Sequence, residues 1–335
     1  MTTKSRPFFR HFTGYALLLL ILLLVCVVAC LFGSTNMTIE SFLSGLTQKD
    51  GYQSEYIIIY HLRIPRILAG ILAGIGLSVS GVLLQSVTGN SLAGPNIIGV
   101  NSGAGFCCIV LLSLFPNLWF TLPVAAFIGA FLAALVIILV AKAIHATSST
   151  IILSGIACTA ILNAGISFFS LIDADVLSSY NAFSIGGLSG VQTKQLLLPA
   201  AMIVICLITS LILSRRIDIL CLGDTIATSL GVRTRSLRTI CLILSSASAA
   251  AVVSYAGLLG FVGLVVPHVA RRLCGNAVGP QLAVSSILGA IVVVLADLIG
   301  RVLLAPTEIP VGILMAFIGV PFFFALLVKR RNVYA

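Results

Sequence analysis

Long apolar stretches, each of about 20 residues, constrain this chain more than any other feature. Ten of them can be marked between residues 14 and 328, and an apolar helix of that length spans the hydrocarbon core of a bilayer. The strands of a membrane barrel would alternate apolar and polar residues over about ten positions, which these runs do not do. Only 8% of the residues are charged, against about 25% in soluble domains. The sequence therefore predicts an all-α, polytopic membrane protein.

The predicted spans follow one another without an intervening soluble module, so residues 1–335 form a single transmembrane domain. In this division 1–13 are a cytoplasmic N-terminus, 14–328 the membrane bundle and 329–335 a cytoplasmic tail. The eighth span is short, and we expect Pro267 to end or bend it. Ten spans also divide into two sets of five that run in opposite directions, an inverted repeat. The predicted spans are 14–34, 64–86, 97–115, 119–142, 150–171, 196–214, 237–254, 257–270, 281–304 and 309–328.

Basic residues are unequally distributed between the two sides of the predicted bundle. With the N-terminus in the cytoplasm, 14 of the 19 basic residues fall on the cytoplasmic side, as the positive-inside rule requires. An even number of spans also keeps the basic run 329–331 on that side. We therefore predict that both termini are cytoplasmic, and that the net charge of +10 reflects these loops rather than nucleic-acid binding.

Small and polar residues are concentrated in the second and third spans. Gly70 and Gly74 form one G-x-x-x-G pair and Gly99 and Gly103 another, a spacing that lets helix backbones approach closely within a membrane bundle. Between the spans, residues 85–96 (QSVTGNSLAGPN) contain too many Gly, Pro and Asn to continue a helix. They form either an ordinary cytoplasmic turn or a broken segment at a translocation pathway, because non-helical backbone at membrane depth needs protein or water around it.

Motifs that are missing from the sequence also narrow the function. The nine cysteines are scattered and form no C-x-x-C pair, so we predict no metal site and no cofactor bound by this chain. No G-x-x-x-x-G-K-[ST] motif occurs, so the loop that cradles ATP phosphates in many ATPases is absent. Motifs of intramembrane enzymes are absent as well. We predict a non-enzymatic protein whose energy source is a partner.

Three parts of the sequence carry a specific combination of motifs. The first is RIPRILAGILAGIGLSVSGVLLQSVTGNSLAGPNIIGVNSGAGF, residues 63–106, and the second is LCLGDTIATSLGV, residues 220–232. The third comprises GLLGFVGLVVPHVARRLCG, residues 257–275, and LADLIGRVLLAPTEIPVGILMAFIGVPFFFALL, residues 295–327. Together they resemble the FecCD family, the permease subunits of bacterial ABC importers for iron–siderophore complexes, haem and cobalamin.

The resemblance implies a cobalamin-permease-like bundle that pairs with a second permease subunit, as a homodimer or a heterodimer, around a central pathway. Two cytoplasmic ATPase subunits would bind below it and hold ATP, and an extracytoplasmic substrate-binding protein would dock above it. The implied location is the bacterial cytoplasmic membrane. A wide pathway lined by small, weakly polar groups suits a bulky chelate, and we favour a ferric siderophore, then haem, then cobalamin.

The longest cytoplasmic loop, residues 215–238, contains a short predicted helix. We place Asp224 at its N-cap and Gly231 at its C-terminal end, with Ile226 and Leu230 on the side that faces the bundle. Local features alone would also suit a lid helix lying on the bundle. The resemblance implies instead a coupling helix that fits a cleft on the ATPase. The coupling residues are Gly223, Asp224, Ala227, Leu230 and Gly231.

The start of the fifth span is polar, with Ser148, Ser149 and Thr150 in succession. On local features these residues would cap the helix, whereas the resemblance implies that they form a cytoplasmic gate. We expect Asn163, further along the span, to face the interior of the bundle because polar groups avoid lipid. Asn163 and Asn90 are the predicted pathway residues.

Arg63 and Arg66 lie at the predicted outer end of the second span, whereas most basic residues lie on the cytoplasmic side. They are three residues apart and share one helical face, so a compensating group is expected beside them. Lipid phosphate is one alternative. The resemblance implies another, a basic socket completed by Arg301 that receives carboxylates of the binding protein. Asp297, four residues before Arg301, is also placed for an ion pair within one helix.

An ion-driven secondary transporter is the main alternative function. Such a transporter would need acidic residues within the membrane. Apart from Asp297, near the end of the ninth span, the predicted spans contain none. Transport that requires ATP, with co-purification of an ATPase, would separate the two classes.

Overall fold

The computed structural model describes residues 12–34, 37–47, 51–143 and 148–331, and within these ranges the chain is helical and contains no β-strand. A π-helical turn, Ile58–Arg63, leads directly into α4, and 3-10 turns at Pro95–Ile98 and Pro116–Thr121 precede α5 and α6. The helices are α1 (Phe12–Leu31), α2 (Ile39–Leu46), α3 (Gln53–Ile57), α4 (Ile64–Thr88), α5 (Val100–Leu114), α6 (Leu122–Ala143), α7 (Ser148–Ile172), α8 (Ala174–Ile185), α9 (Thr193–Leu220), α10 (Asp224–Ser229), α11 (Thr234–Ala256), α12 (Val262–Cys274), α13 (Val278–Val302) and α14 (Val311–Arg331).

Seven helices of the described chain are long and apolar enough to cross a membrane, and α5 and the stretch Val311–Leu326 of α14 are shorter apolar segments. Together with the 13-residue α12, they coincide with the ten predicted spans, which confirms the all-α, multi-span fold class. Of the two outcomes expected at Pro267, an end of the helix is excluded. Pro267 lies within α12, and that helix is short because residues 257–261, which precede it, are irregular.

Three helices lie outside both the predicted spans and the short helix predicted within residues 215–238. They are α2, α3 and α8, with 8, 5 and 12 residues. A search for stretches of about 20 apolar residues cannot detect helices of this length. They cover the connections at the end of the bundle where α4 begins.

The centre of the bundle is formed by α4, α11 and α13, whose most apolar stretches are 78%, 72% and 67% buried. Glycine permits the closest of these contacts. A side-chain carbon at Gly74 of α4 would lie 2.2 Å from the backbone oxygen of Gly289 on α13. The close helix approach predicted from small residues is therefore present at Gly74. Ser80 of α4 and Ser245 of α11 add a buried hydroxyl–hydroxyl hydrogen bond of 2.8 Å.

The segment between α4 and α5 folds back along α4. It leaves the helix at Gly89, where φ is +62°. Pro95 then lies against Gly263 at the start of α12, and Gly263 also faces the carbonyl of Leu77. Leu77 is about 16 Å from the end of α4 at 1.5 Å per residue. The structure therefore has a broken segment packed against the bundle rather than an ordinary turn, and its place at a translocation pathway stays a prediction.

A long helix, an irregular segment and a short helix occur twice in the chain. The first set is α4, residues 89–99 and α5, and the second is α11, residues 257–261 and α12. This recurrence agrees with two related halves, although the inverted repeat itself stays a prediction.

Candidate functional site

Three arginines come together at the end of the bundle where α4 begins and α13 ends. Arg63, Arg66 and Arg301 are only 4%, 9% and 3% exposed. They line a cavity of about 890 Å³. We call it the outer cavity because the predicted orientation places it outside, and its other lining residues include Tyr56, Tyr60, His61, Ser189, Gln192, Lys194 and Glu308. The cavity is therefore rich in cations and hydrogen-bond donors, which suits carboxylates or other anions.

Arg66 binds two carboxylates from distant parts of the chain. Its Nε donates to both oxygens of Asp297, at 2.9 and 3.0 Å, and its Nη2 lies 2.9 Å from Asp297 Oδ1. Its Nη1 donates to Glu308 Oε2 at 2.6 Å. Burial alone would raise the pKa of Glu308, but the hydrogen bond and charge of Arg66, helped by Ser34 and Arg301, leave that pKa below its ordinary value of 4.5. Glu308 therefore remains ionised opposite Arg66 at neutral pH.

Arg63 and Arg301 bind the C-terminal end of α1. Arg63 Nη1 donates to the carbonyls of Cys30 and Leu31. Arg301 Nη1 donates to the carbonyls of Ala29, at 3.2 Å, and Phe32, at 3.4 Å. The last four carbonyls of a helix have no partner within that helix, and positive charge there also suits the helix dipole. These two arginines therefore cap α1.

The compensation expected beside the outer arginines is supplied within the chain, by Asp297, Glu308 and the α1 carbonyls. The predicted pair within α13 is present, with Arg301 Nε 3.1 Å from Asp297 Oδ2. Sequence reasoning missed Glu308 because it lies between helices, where no periodic spacing relates it to Arg66. Docking of a binding protein at these arginines stays a prediction. Among the described residues, no three His, Cys, Asp or Glu side chains are grouped as metal ligands.

The short helix predicted within residues 215–238 is present as α10, at the opposite end of the bundle. The helix ends at Gly231, as predicted. Gly231 has φ +80°, its N–H donates to the carbonyl of Thr228, and the N–H of Val232 donates to the carbonyl of Ala227. This pair of bonds is the Schellman motif, which needs a left-handed residue.

Two details predicted for α10 were wrong. Gly223, with φ +104°, occupies the N-cap, and Asp224 is the first helical residue. Its Oδ1 accepts from Arg238 Nη2 on α11 at 2.9 Å. Ile226 and Leu230 point away from the bundle and are 50% and 60% exposed, whereas Ala227 is fully buried. A helix of six residues buries only the one small side chain that fits against the bundle, so its large apolar side chains remain outside.

The predicted gate lies at the start of α7. The helix begins at Ser148, but the side chains of Ser148 and Ser149 lie outside the described residues, and Thr150 is half-buried. Asn90 has a local role, because its Oδ1 accepts from the N–H of Leu92 at 3.0 Å and stabilises the turn after α4.

The expectation that Asn163 faces the interior of the bundle was wrong, because Asn163 is exposed. It lies on α7, whose most apolar stretch is only 11% buried. The nearby Ser167 is exposed as well. A polar helix face avoids lipid, but within one chain it can do so by facing outward towards water or another subunit.

Comparison with known proteins shows which family this chain belongs to. A model described as the FecCD transport family matches residues 19–329. The chain belongs to this family. FecCD family membership confirms the resemblance found in the sequence motifs and identifies the chain as a multi-span membrane permease.

Individual relatives of this FecCD family chain are similar over their whole length. The Fe(3+)-citrate import system permease protein YfmE of Bacillus subtilis is 33% identical over 327 residues, 97% of each chain. The hemin transport system permease protein HmuU of Yersinia pestis is 33% identical over 343 residues, 99% of each chain. A solved structure of a metal-chelate type ABC transporter in an inward-facing conformation has a TM-score of 0.85 and 28% identity, over 94% of this chain and 98% of that one.

Proposed function

We propose that this chain is the permease subunit of an ABC importer that moves a bulky iron chelate into the cytoplasm, powered by a separate ATPase. A ferric siderophore is the favoured substrate class, followed by haem and cobalamin. The FecCD family match over residues 19–329 carries the proposal, since the relatives it agrees with are permeases for iron citrate and haem. The chain would lie in the bacterial cytoplasmic membrane with both termini inside.

The exposed apolar side of α10 supports contact with an ATPase. Ile226 of α10, Leu222 just before the helix and Leu230 at its C-cap are 50%, 59% and 60% exposed. They lie at the end of the bundle that the basic residues predict to be cytoplasmic. Helix termination at Gly231 and the Asp224–Arg238 pair hold α10 in a defined position. Large apolar side chains presented on a short, fixed helix suit insertion into a cleft of a partner.

The cavity at the opposite end supports docking of a binding protein. Its base contains Arg63, Arg66 and Arg301, and Lys194 adds a fourth cation. Carboxylates of an extracytoplasmic binding protein would be attracted to this surface, and charge complementarity of this kind directs the orientation of docking.

The exposed, partly polar face of α7 supports pairing with a second permease subunit. Asn163 would line the pathway between the two subunits, and Ser148, Ser149 and Thr150 would close it towards the cytoplasm. Asn90 would contribute beside the broken segment. Crosslinking between copies distinguishes a second copy of this chain from a related permease.

Reconstitution tests the proposal. The permease is placed in liposomes with an ATPase and a binding protein of the same organism, and uptake of ferric siderophore, ferric citrate, haem and cobalamin is measured with and without ATP. We expect uptake of one iron chelate that needs both ATP and the loaded binding protein. Uptake driven by a proton or sodium gradient without ATP would instead establish a secondary transporter. The internal pairing of Asp297 with two arginines already weakens that alternative, because a transported ion would need this carboxylate free.

A further inference from the structure

The arginine cluster contains more cationic hydrogen-bonding capacity than the chain itself uses. Arg63, Arg66 and Arg301 face two carboxylates, those of Asp297 and Glu308. Arg301 Nη2 is buried and has no hydrogen-bond partner among the described residues. A buried donor without an acceptor is costly, and this one belongs to a side chain that lines the outer cavity. The cluster is therefore built to accept one further anionic group.

The two internal carboxylates differ in how firmly they are held. Asp297 is 3% exposed, is fixed on α13 and contacts both Arg66 and Arg301. Glu308 is 26% exposed and lies in the irregular segment between α13 and α14. It binds one arginine atom, Arg66 Nη1, and has a further hydrogen bond with the side chain of Ser34. Removing Asp297 would take a carboxylate from two buried arginines at once, whereas Glu308 is partly exposed at the cavity and pairs with Arg66 only.

We propose that Glu308 holds the place of a partner's carboxylate on Arg66, and that docking exchanges the one carboxylate for the other. This inference rests on the proposed docking of a binding protein at the outer cavity. It assigns Arg66 as the arginine that exchanges its ligand, since Arg63 and Arg301 are committed to the carbonyls of α1. The incoming carboxylate would bind Arg66 Nη1 and lie within reach of the unused Arg301 Nη2.

The exchange would loosen the segment between α13 and α14. Release of Glu308 removes the ion pair that holds this segment against Arg66 of α4. The residue after Glu308 stays anchored to α13, because the N–H of Ile309 donates to the carbonyl of Gly300 at 2.9 Å. The N–H of Gly312, in the first turn of α14, likewise donates to the carbonyl of Gly186 at 3.1 Å. Docking would therefore be transmitted to residues 303–308, directly before α14.

Affinity measurements on three variants test the exchange. The importer is placed in nanodiscs, and its Kd for the binding protein identified by reconstitution is measured for wild type, Glu308→Gln, Arg66→Gln and Asp175→Asn. Asp175 is the control, an exposed carboxylate at the same end of the bundle. We expect Glu308→Gln to tighten binding about fivefold or more, because the internal competitor loses its charge. Arg66→Gln should weaken binding, and Asp175→Asn should leave it unchanged.

The results separate the exchange from docking itself. If Arg66→Gln weakens binding but Glu308→Gln leaves it unchanged or weaker, docking stands and the exchange is overturned. If Arg66→Gln has no effect, docking at this cluster fails and the exchange fails with it. Glu308→Asp is a second variant, should Glu308→Gln not fold. Its shorter side chain reaches Arg66 less well, so binding should again tighten, and unchanged or weaker binding would overturn the exchange.

A spin label at position 307 provides a readout that does not depend on affinity. Thr307→Cys is labelled in the wild-type and Glu308→Gln backgrounds, since Thr307 is exposed within the segment that would be released. Label mobility should rise on docking in the wild type and should already be high in Glu308→Gln. Equal, restricted mobility in both proteins would contradict the release.

Discussion

At the scale of single residues, the outer arginines show how a membrane protein compensates buried charge. Each guanidinium meets either a carboxylate or the free carbonyls of a helix end, so burial at 3–9% exposure is tolerated. The guanidinium group thus has two structural uses within a single cluster. Arg66 forms ion pairs, Arg63 caps a helix, and Arg301 does both. Both uses can be tested separately from docking.

Replacing Arg63 should destabilise the attachment of α1. In Arg63→Gln the carbonyls of Cys30 and Leu31 lose a charged donor, and we expect a loss of about 1–3 kcal/mol in the free energy of unfolding. Thermal or denaturant unfolding in detergent measures this loss in free energy. Lys194→Gln is the control, because Lys194 lines the same cavity but is exposed. Equal stability of Arg63→Gln and wild type would contradict the capping role.

The Arg66–Glu308 pair should stabilise the protein in a pH-dependent manner. The pKa of Glu308 is depressed in the folded state, so its contribution is complete above the ordinary value of 4.5 and is lost as pH falls through the lowered folded pKa. Wild type should therefore melt at a higher temperature than Glu308→Gln near neutral pH, and the difference should shrink below about pH 4.5. Thermal melts across this range check it. If the difference in melting temperature does not change with pH, the charge of Glu308 does not stabilise the protein.

At the scale of elements, α10 shows how a six-residue helix is held in one orientation. Its own hydrogen bonds are too few for stability. The chain compensates with the Schellman motif at Gly231, the pair between Asp224 and Arg238, and the burial of Ala227. What remains exposed is the apolar surface proposed to meet the ATPase.

A side chain at position 231 should disturb the end of α10. The φ of +80° at Gly231 costs an ordinary L-residue about 1–2 kcal/mol, so Gly231→Ala should reduce ATPase activity stimulated by the loaded binding protein. Gly231→Asn is the matched comparison, because Asn tolerates the left-handed region better, and it should retain more activity. Equal activity of the two variants would show that the backbone conformation at this position is unimportant for coupling.

Charge on the exposed side of α10 should weaken ATPase binding. Ile226→Glu places a carboxylate where an apolar side chain would enter the partner, and we expect Kd for the ATPase to rise by about tenfold or more. Pull-down or interferometry with the purified ATPase measures it. Ile226→Val keeps the surface apolar and should bind nearly as wild type does. Normal binding by a folded Ile226→Glu permease would place the ATPase contact elsewhere.

At the scale of the whole molecule, burial divides the helices into a centre and a periphery. The centre is α4, α11 and α13, while α7 is largely exposed and carries Asn163 and Ser167 on its surface. Exposed polar groups on a spanning helix require water or another protein beside them. This surface is the proposed site of subunit pairing and of the pathway.

Crosslinking tests that arrangement. Asn163→Cys, in a protein whose exposed Cys221 is replaced by Ser, should crosslink to its copy if the importer is a homodimer. The yield should depend on nucleotide, because a pathway changes width between states. A cysteine at Ser149 should behave likewise if the gate lies there. Leu197→Cys, on α9 and 77% exposed, should not crosslink. Absence of crosslinks at both α7 positions would favour a heterodimer or a different interface, which the same experiment with a co-expressed second permease distinguishes.

The sequence alone determined the ten spans, the broken segment as one of two alternatives, the position of α10 and its end at Gly231. These features depend on local composition, since apolar length makes a spanning helix and a left-handed residue ends one. Family membership was also predictable, because its motifs are contiguous in the chain.

Only the tertiary structure decided which side chains meet and which way each helix faces. Arg66 binds Asp297 across 231 positions and Glu308 across 242, and no local pattern records such a pairing. The outward positions of Ile226 and Asn163 were predicted wrongly for a related reason. Apolar and polar preferences indicate that a side chain needs a suitable environment, but a subunit of a membrane assembly can find that environment on a neighbouring protein as well as in its own core.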